Sequence, residues 1–221
     1  LAINQDAVTG VYSAASDDLP TKMAGTSAAD ELIGGALDDA ISGNDGDDIF
    51  DGGGGDDVLT GGSGDDLFRV SDGSDKILTG GGSDTLEVAD GYSLSGAIFV
   101  DSSNGSLTFT LLDSDNDEHT VVVEGHKTEP LSVLSVGGVD YRLSVTPTEN
   151  DDGTVTYTAE SNLPTLVTGT SGSDGLVGRG GDDLFFGNDG DDTITGGIGD
   201  DTIIVSDGDD TIYYGNGVDR I

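Results

Sequence analysis

The chain has 221 residues, a formal charge of −37 and no cysteine. The missing cysteine excludes disulfides, thiolate metal sites and cysteine nucleophiles, and the charge argues against nucleic acid and anionic membrane as partners. Self-repulsion on this scale opposes compaction unless cations offset it, and seven Lys and Arg cannot do so from within.

Residues 1–24 read as an N-terminal β segment, the tail of a cap-like unit, because Tyr12 to Pro20 is similar to Tyr157 to Pro164. The chain opens at Leu1 without a Met, which reads as processing or excision. No apolar stretch approaches membrane-spanning length, and none has signal-peptide form.

From residue 25 a nine-residue period takes over. Seven consecutive nonapeptides fill 25–87, with aspartate in the sixth place at Asp30, Asp39, Asp48, Asp57, Asp66, Asp75 and Asp84. Two residues after each stands a large apolar side chain: Leu32, Ile41, Phe50, Leu59, Phe68, Ile77 and Leu86. Two residues before each, glycine fills the fourth place at Gly46, Gly55, Gly64, Gly73 and Gly82, with Ala28 and Leu37 as departures. One buried-type residue per short unit describes a stacked coil and not a globular core.

Residues 88–168 change character. Glycine thins out, and Leu107 to Leu111, His119 to Glu124, Val139 to Thr146 and Thr154 to Thr158 read as strands of a small antiparallel β cap or linker. Asn150 to Gly153 reads as a hairpin turn. Asp113-Ser114-Asp115-Asn116-Asp117 with Glu124 superficially resembles an EF-hand loop, but Glu118 stands where glycine is needed, so a polar hairpin tip is the better reading.

The period resumes at 169–221 with Asp174, Asp183, Asp192, Asp201, Asp210 and Asp219. Its fourth-place glycines are Gly172, Gly181, Gly190, Gly199, Gly208 and Gly217, and its apolar column is Leu176, Phe185, Ile194, Ile203, Ile212 and Ile221. A longer repeat overlies the short one: Leu19-Pro20-Thr21 before Gly25-Thr26-Ser27 matches Leu163-Pro164-Thr165 before Gly169-Thr170-Ser171. The chain therefore reads as roughly one and a half copies of a roll-plus-cap unit.

The consensus Gly-Gly-x-Gly-x-Asp-x-apolar-x resembles the calcium-binding nonapeptide of RTX (repeats-in-toxin) proteins. The resemblance implies an all-β fold: two parallel β-rolls, calcium-binding solenoids at 25–87 and 169–221, separated by the antiparallel segment. It implies six-residue turns alternating with three-residue strands, two nonapeptides per coil, and Ca²⁺ between stacked turns.

The chemistry agrees. Calcium takes six to eight oxygen ligands, glycine at positive φ lets a turn aim carbonyls inward, and the sixth-place aspartates add fixed carboxylates. Third-place aspartates, at Asp45, Asp72, Asp189 and Asp207, are expected to add further oxygens. The fifth-place aspartates are expected to face solvent. Sites built from turns two apart give about nine ions, which would bring the charge to roughly −19.

No zinc-binding His pair, nucleophile elbow or phosphate loop is present, and His119 and His126 read as surface strand residues. The expected function is non-enzymatic: a secreted, bacterial calcium-binding protein at the cell surface or outside, folding with calcium. It would serve as a structural or adhesive element capable of head-to-tail self-association. The alternative is the calcium-dependent secretion module of a type I-secreted exoenzyme or toxin.

Overall fold

A computed structural model describes residues 3–6, 10–14, 19–100, 106–124, 131–143, 145–150, 154–159 and 163–221. Every regular element among them is a β-strand. The chain forms two compact units, Leu1–Ser95 with Asp101–Gly138, and Gly96–Val100 with Val139–Ile221.

In the first unit the nonapeptide strands from Glu31–Gly35 to Leu67–Val70 each pair in parallel with the strand eighteen residues on, so alternate nonapeptides build opposite sheets. One sheet runs through Val11–Ala14, Glu31–Gly35, Ile49–Gly53, Leu67–Val70, Thr85–Val88 and Val133–Val136. The other runs through Lys22–Ala24, Ala40–Asp45, Val58–Ser63, Asp75–Gly81 and Glu118–Glu124. The eighth-place side chains fall into register as two apolar columns: Leu32, Phe50, Phe68 and Leu86 on one side, Ile41, Leu59 and Ile77 on the other. All seven are buried. Phe50 and Phe68 stack with centroids 4.7 Å apart. Burying each such side chain stabilises the coil by about 1.5–3 kcal/mol.

The columns extend beyond the nonapeptides at both ends. Tyr12 sits in register with Leu32, and Met23 with Ile41. At the far end Leu134 follows Leu86, and Val123 follows Ile77. The hairpin of Leu107–Leu112 and Glu118–Glu124 lays its second strand parallel on Asp75–Gly81. It thereby covers the sheet edge that the last coil would expose.

The second unit repeats the device with shorter strands. Val155–Ala159, Asp174–Val177, Thr193–Thr195 and Thr211–Tyr213 stack in parallel, with Val145–Glu149 antiparallel at the start. Leu166–Thr168, Leu184–Phe186 and Thr202–Ile204 form the facing sheet. Val167, Leu176, Phe185, Ile194 and Ile203 share one core with Ala159. Asn150 donates its N–H to the Thr154 carbonyl at 2.9 Å, joining the two antiparallel strands, while 151–153 lie outside the described residues. The single strand expected over Val139 to Thr146 is two, Val139–Arg142 and Val145–Glu149.

Stacked turns approach closely at their glycines. Gly62 has φ +125°, and a Cβ there would meet the Asn44 carbonyl oxygen at 1.7 Å. Gly81 lies outside the left-handed region and faces open space. Gly62→Ala should therefore cost about 3 kcal/mol or more, and Gly81→Ala about 0.5 kcal/mol or less. Urea unfolding in calcium checks this, and equal losses at the two positions would contradict the stacking.

Candidate metal centre

The sixth-place aspartates form a buried ladder. Asp30, Asp39, Asp48, Asp57, Asp66, Asp75 and Asp84 of the first unit are buried, as are Asp174, Asp183, Asp192 and Asp201 of the second. Asp210 and Asp219, in the last coil, are half-buried. Each of these carboxylates that has a coil before it spends one oxygen on that coil. Asp48 Oδ1 accepts the Asp30 N–H at 2.8 Å, Asp57 that of Asp39 at 2.8 Å, and Asp66 that of Asp48 at 2.9 Å. Asp192 and Asp201 do the same for Asp174 and Asp183, both at 2.9 Å.

The ladder begins one rung before the first aspartate. Thr21 donates its N–H to Asp39, and Thr165 donates to Asp183. Those two threonines occupy the aspartate's place in register, which is the structural role of the repeated Leu-Pro-Thr. The sequence match marks them, but nothing in their chemistry announces it.

The second oxygen is different. Oδ2 of Asp48, Asp57, Asp66, Asp183, Asp192 and Asp201 is buried with no hydrogen-bond partner. Each lies over the first-place glycine of its own turn. A Cβ on Gly43 would sit 2.1 Å from Asp48 Oδ2, and one on Gly52 2.2 Å from Asp57 Oδ2. A buried carboxylate oxygen without a donor is expensive. A row of them in glycine-walled turns fits a hard, oxygen-seeking cation such as Ca²⁺. The fourth-place glycines add to the fit: Gly46, Gly55, Gly64, Gly73, Gly82, Gly181, Gly190, Gly199, Gly208 and Gly217 are all left-handed, and Gly172 is not.

Three turns are arranged otherwise. Thr26 N–H and Oγ both donate to Asp30 Oδ2, at 2.5 and 2.8 Å. Thr170 repeats this on Asp174 at 2.6 and 2.8 Å. Gly35 N–H donates to Asp39 Oδ2 at 2.6 Å.

The third-place aspartates do not join the ladder. Asp45, Asp72, Asp189 and Asp207 are exposed. Asp72 accepts the Tyr92 hydroxyl instead. The fifth-place aspartates are exposed but occupied, forming an outer ladder that runs the opposite way: Asp47 accepts the Asp65 N–H at 2.9 Å, and Asp182 that of Asp200 at 2.8 Å. Sequence reasoning missed this role, because an acceptor's partner eighteen residues away leaves no local signature.

His119 is mostly buried, not a surface residue; His126 lies outside the described residues. His119 Nδ1 accepts the Gly73 N–H at 2.8 Å, while Nε2 faces Asp113 Oδ2 at 3.4 Å and Asp72 Oδ1 at 3.9 Å. An Nδ1 that accepts leaves the ring's proton on Nε2, pointing at the carboxylates. In this arrangement the cluster is a hydrogen-bonded clamp between the hairpin and a turn of the first unit. Asp113 is the hairpin tip: its Oδ1 accepts the Asp115 and Asp117 N–H groups at 2.8 and 2.9 Å. Exposed pairs such as Arg69–Glu87 at 3.1 Å and Lys76–Glu124 at 2.8 Å contribute under about 1 kcal/mol each and do not offset the acidic charge.

Without a cation the ladder resists ionisation. Burial pushes Asp57, Asp66, Asp75 and Asp183 up to about 7, and Asp192 to about 6. The donated backbone N–H opposes the shift, and neighbouring carboxylates reinforce it. These folded values exceed the unfolded 3.8, so between about 4 and 7 the folded chain holds protons that the unfolded chain has released. Stability of the metal-free fold therefore falls as pH rises through that window. In metal-stripped buffer the far-ultraviolet β signal should be stronger at pH 5.5 than at pH 7.5; a signal that grows with pH would contradict the ladder's burial.

The profile of the RTX calcium-binding nonapeptide repeat matches four times, at residues 24–59, 60–92, 168–203 and 186–221, over half of the chain. No curated protein matches it. Among solved structures, a subunit of the Azotobacter vinelandii mannuronan C5-epimerase is similar at 28% identity over 51% of this chain and 74% of its own, with a TM-score of 0.40. The extracellular lipase of Serratia marcescens is similar at 23% identity over 83% of this chain, which spans 28% of the lipase, with a TM-score of 0.30. By its repeats, its parallel coils and its aspartate ladder, the chain belongs to the RTX calcium-binding nonapeptide repeat family.

Proposed function

We propose that the chain is a non-catalytic, calcium-dependent structural or adhesive element of a bacterial surface or extracellular assembly. It takes up several ions, at most about nine if every pair of stacked turns holds one. It associates head to tail. The observation that supports this most is an exposed apolar strip on the second roll. Thr211–Tyr213 is a terminal strand of its sheet, and Ile198, Tyr213, Tyr214, Val218 and Ile221 are exposed beside it. In the first unit one sheet goes on into a covering hairpin and the other into Val133–Val136. A contiguous strip of exposed apolar side chains beside a strand is a surface that a partner strand completes.

The first unit offers a matching start. Lys22–Ala24 is the first parallel strand of its sheet and ends that sheet's order. A second copy laying its exposed Tyr213, Tyr214 and Val218 strip there would make a heterologous contact, which propagates unless it closes a ring. Calcium is required because only a folded roll presents an edge. The family's nonapeptides and the engaged imidazole of His119 both fit a scaffold in which polar groups hold turns together.

Light scattering at increasing protein concentration tests the assembly. Particles should grow in millimolar calcium and dissolve in EGTA, and Tyr213→Lys with Val218→Lys should stop growth while leaving the calcium-induced β signal. An intact chain that stays monomeric at high concentration in calcium would contradict self-association and favour a secretion or folding module.

A further inference from the structure

We infer that three of the thirteen turns, those of Asp30, Asp39 and Asp174, are closed by hydrogen bonds and do not use their aspartate as a calcium ligand. The inference rests on the calcium reading of the other turns and says which sequence-matched sites that reading must leave out.

Two independent features pick out the same three turns. The first is the fate of Oδ2. At Asp48, Asp57, Asp66, Asp183, Asp192 and Asp201 it is buried and orphaned. At Asp30 and Asp174 it accepts both the N–H and the Oγ–H of the second-place threonine, and at Asp39 it accepts the Gly35 N–H. A carboxylate oxygen holding one or two donors at 2.5–2.8 Å has no need of a cation.

The second feature is the backbone at the fourth place. It is Ala28, Leu37 and Gly172 in the three closed turns, and none of them is left-handed. In the other ten turns it is a glycine at positive φ. Positive φ strains any residue with a Cβ. Ala28 and Leu37 are therefore tolerated because their turns adopt the other conformation. Gly172 adopts it too, although a residue without a Cβ could take either. By sequence Asp174 lies in a regular turn; by geometry it belongs with Asp30.

The first coil of each roll carries a further matched contact. Asn44 Nδ2 donates to the Gly25 carbonyl at 2.9 Å, and Asn188 Nδ2 donates to the Gly169 carbonyl at 2.8 Å. Asn44 and Asn188 are both left-handed, at φ 82° and 66°. An uncharged amide thus engages a first-turn carbonyl of the kind that a cation would draw on. The same set of four contacts recurs in both rolls: threonine N–H, threonine hydroxyl, the 3.2 Å return bond to that hydroxyl from Ala28 or Gly172, and the asparagine amide. Each roll starts with a turn that needs no ion, and the ion stack begins above it. The number of aspartate-bound ions falls from about nine to about six, since each closed turn removes the pair it would have formed.

Calcium counting on the whole chain tests this with Asp174→Asn and Asp192→Asn side by side, by calorimetric titration and by metal analysis after gel filtration. Asn keeps the oxygen that Thr170 donates to but loses the charge a cation needs. Asp174→Asn should leave the ion count unchanged and the midpoint within about twofold, whereas Asp192→Asn should lose at least one ion. If both variants lose an ion equally, the closed turns are calcium sites and the inference is wrong. A wild-type chain that binds no calcium at all would instead overturn the calcium reading beneath it. Hydrogen exchange on the calcium-loaded wild type decides the matter without a variant: the Thr26, Gly35 and Thr170 amides should be protected, and fast exchange at all three would overturn the closure.

Discussion

Buried carboxylates stacked at eighteen-residue intervals are the constraint on which the rest of the molecule depends. The parallel register that aligns Leu32 with Phe50 and Phe68 also aligns Asp30 with Asp48 and Asp66. The hydrophobic column cannot form without bringing the carboxylate column with it. One oxygen of each aspartate contributes to the stack by accepting a backbone N–H from the coil before. The other, in six turns, is left in the interior with nothing to neutralise it. Apolar burial and carboxylate desolvation are thus coupled terms of opposite sign. Protons or divalent cations decide which prevails.

The glycines are the geometric counterpart of that coupling. A turn that buries a carboxylate over its own first residue has no room for a Cβ there, as Gly43 and Gly52 show. A turn that leaves Oδ2 open carries a left-handed fourth residue, and one that closes it does not. The sequence period is therefore a record of two requirements, space beside the carboxylate and backbone handedness. Where the carboxylate is closed by threonine or a backbone N–H, the handedness requirement lapses and Ala28 and Leu37 appear.

Much of this is legible before any coordinates. The nine-residue period defines the coils, the eighth-place residues predict both apolar columns, and the sixth-place aspartates mark where carboxylates stack, although their burial and their bonds to the coil before are not read from it. What escapes the sequence lies where the period stops. Tyr12, Met23, Val123 and Leu134 extend the columns from segments with no nonapeptide pattern, because register there is set by pairing with a distant strand. Leu107–Leu112 and Glu118–Glu124 are readable as a hairpin, but their attachment in parallel to Asp75–Gly81 is not. Thr26 and Thr170 look like ordinary turn residues until their donors are seen on Asp30 and Asp174. Asp45, Asp72, Asp189 and Asp207 are exposed, and nothing in the period announces that Asp72 holds the Tyr92 hydroxyl.

The claim that cations convert an opposed fold into a stable one is most directly tested by far-ultraviolet circular dichroism of the metal-stripped chain at pH 7.5, titrated with CaCl₂ or MgCl₂. Magnesium demands tight octahedral geometry and keeps its waters, whereas calcium accepts irregular oxygen cages. The coupled ladder predicts a cooperative rise in β signal with calcium and little response to equal magnesium. A chain as rich in β structure in EGTA as in calcium would contradict it.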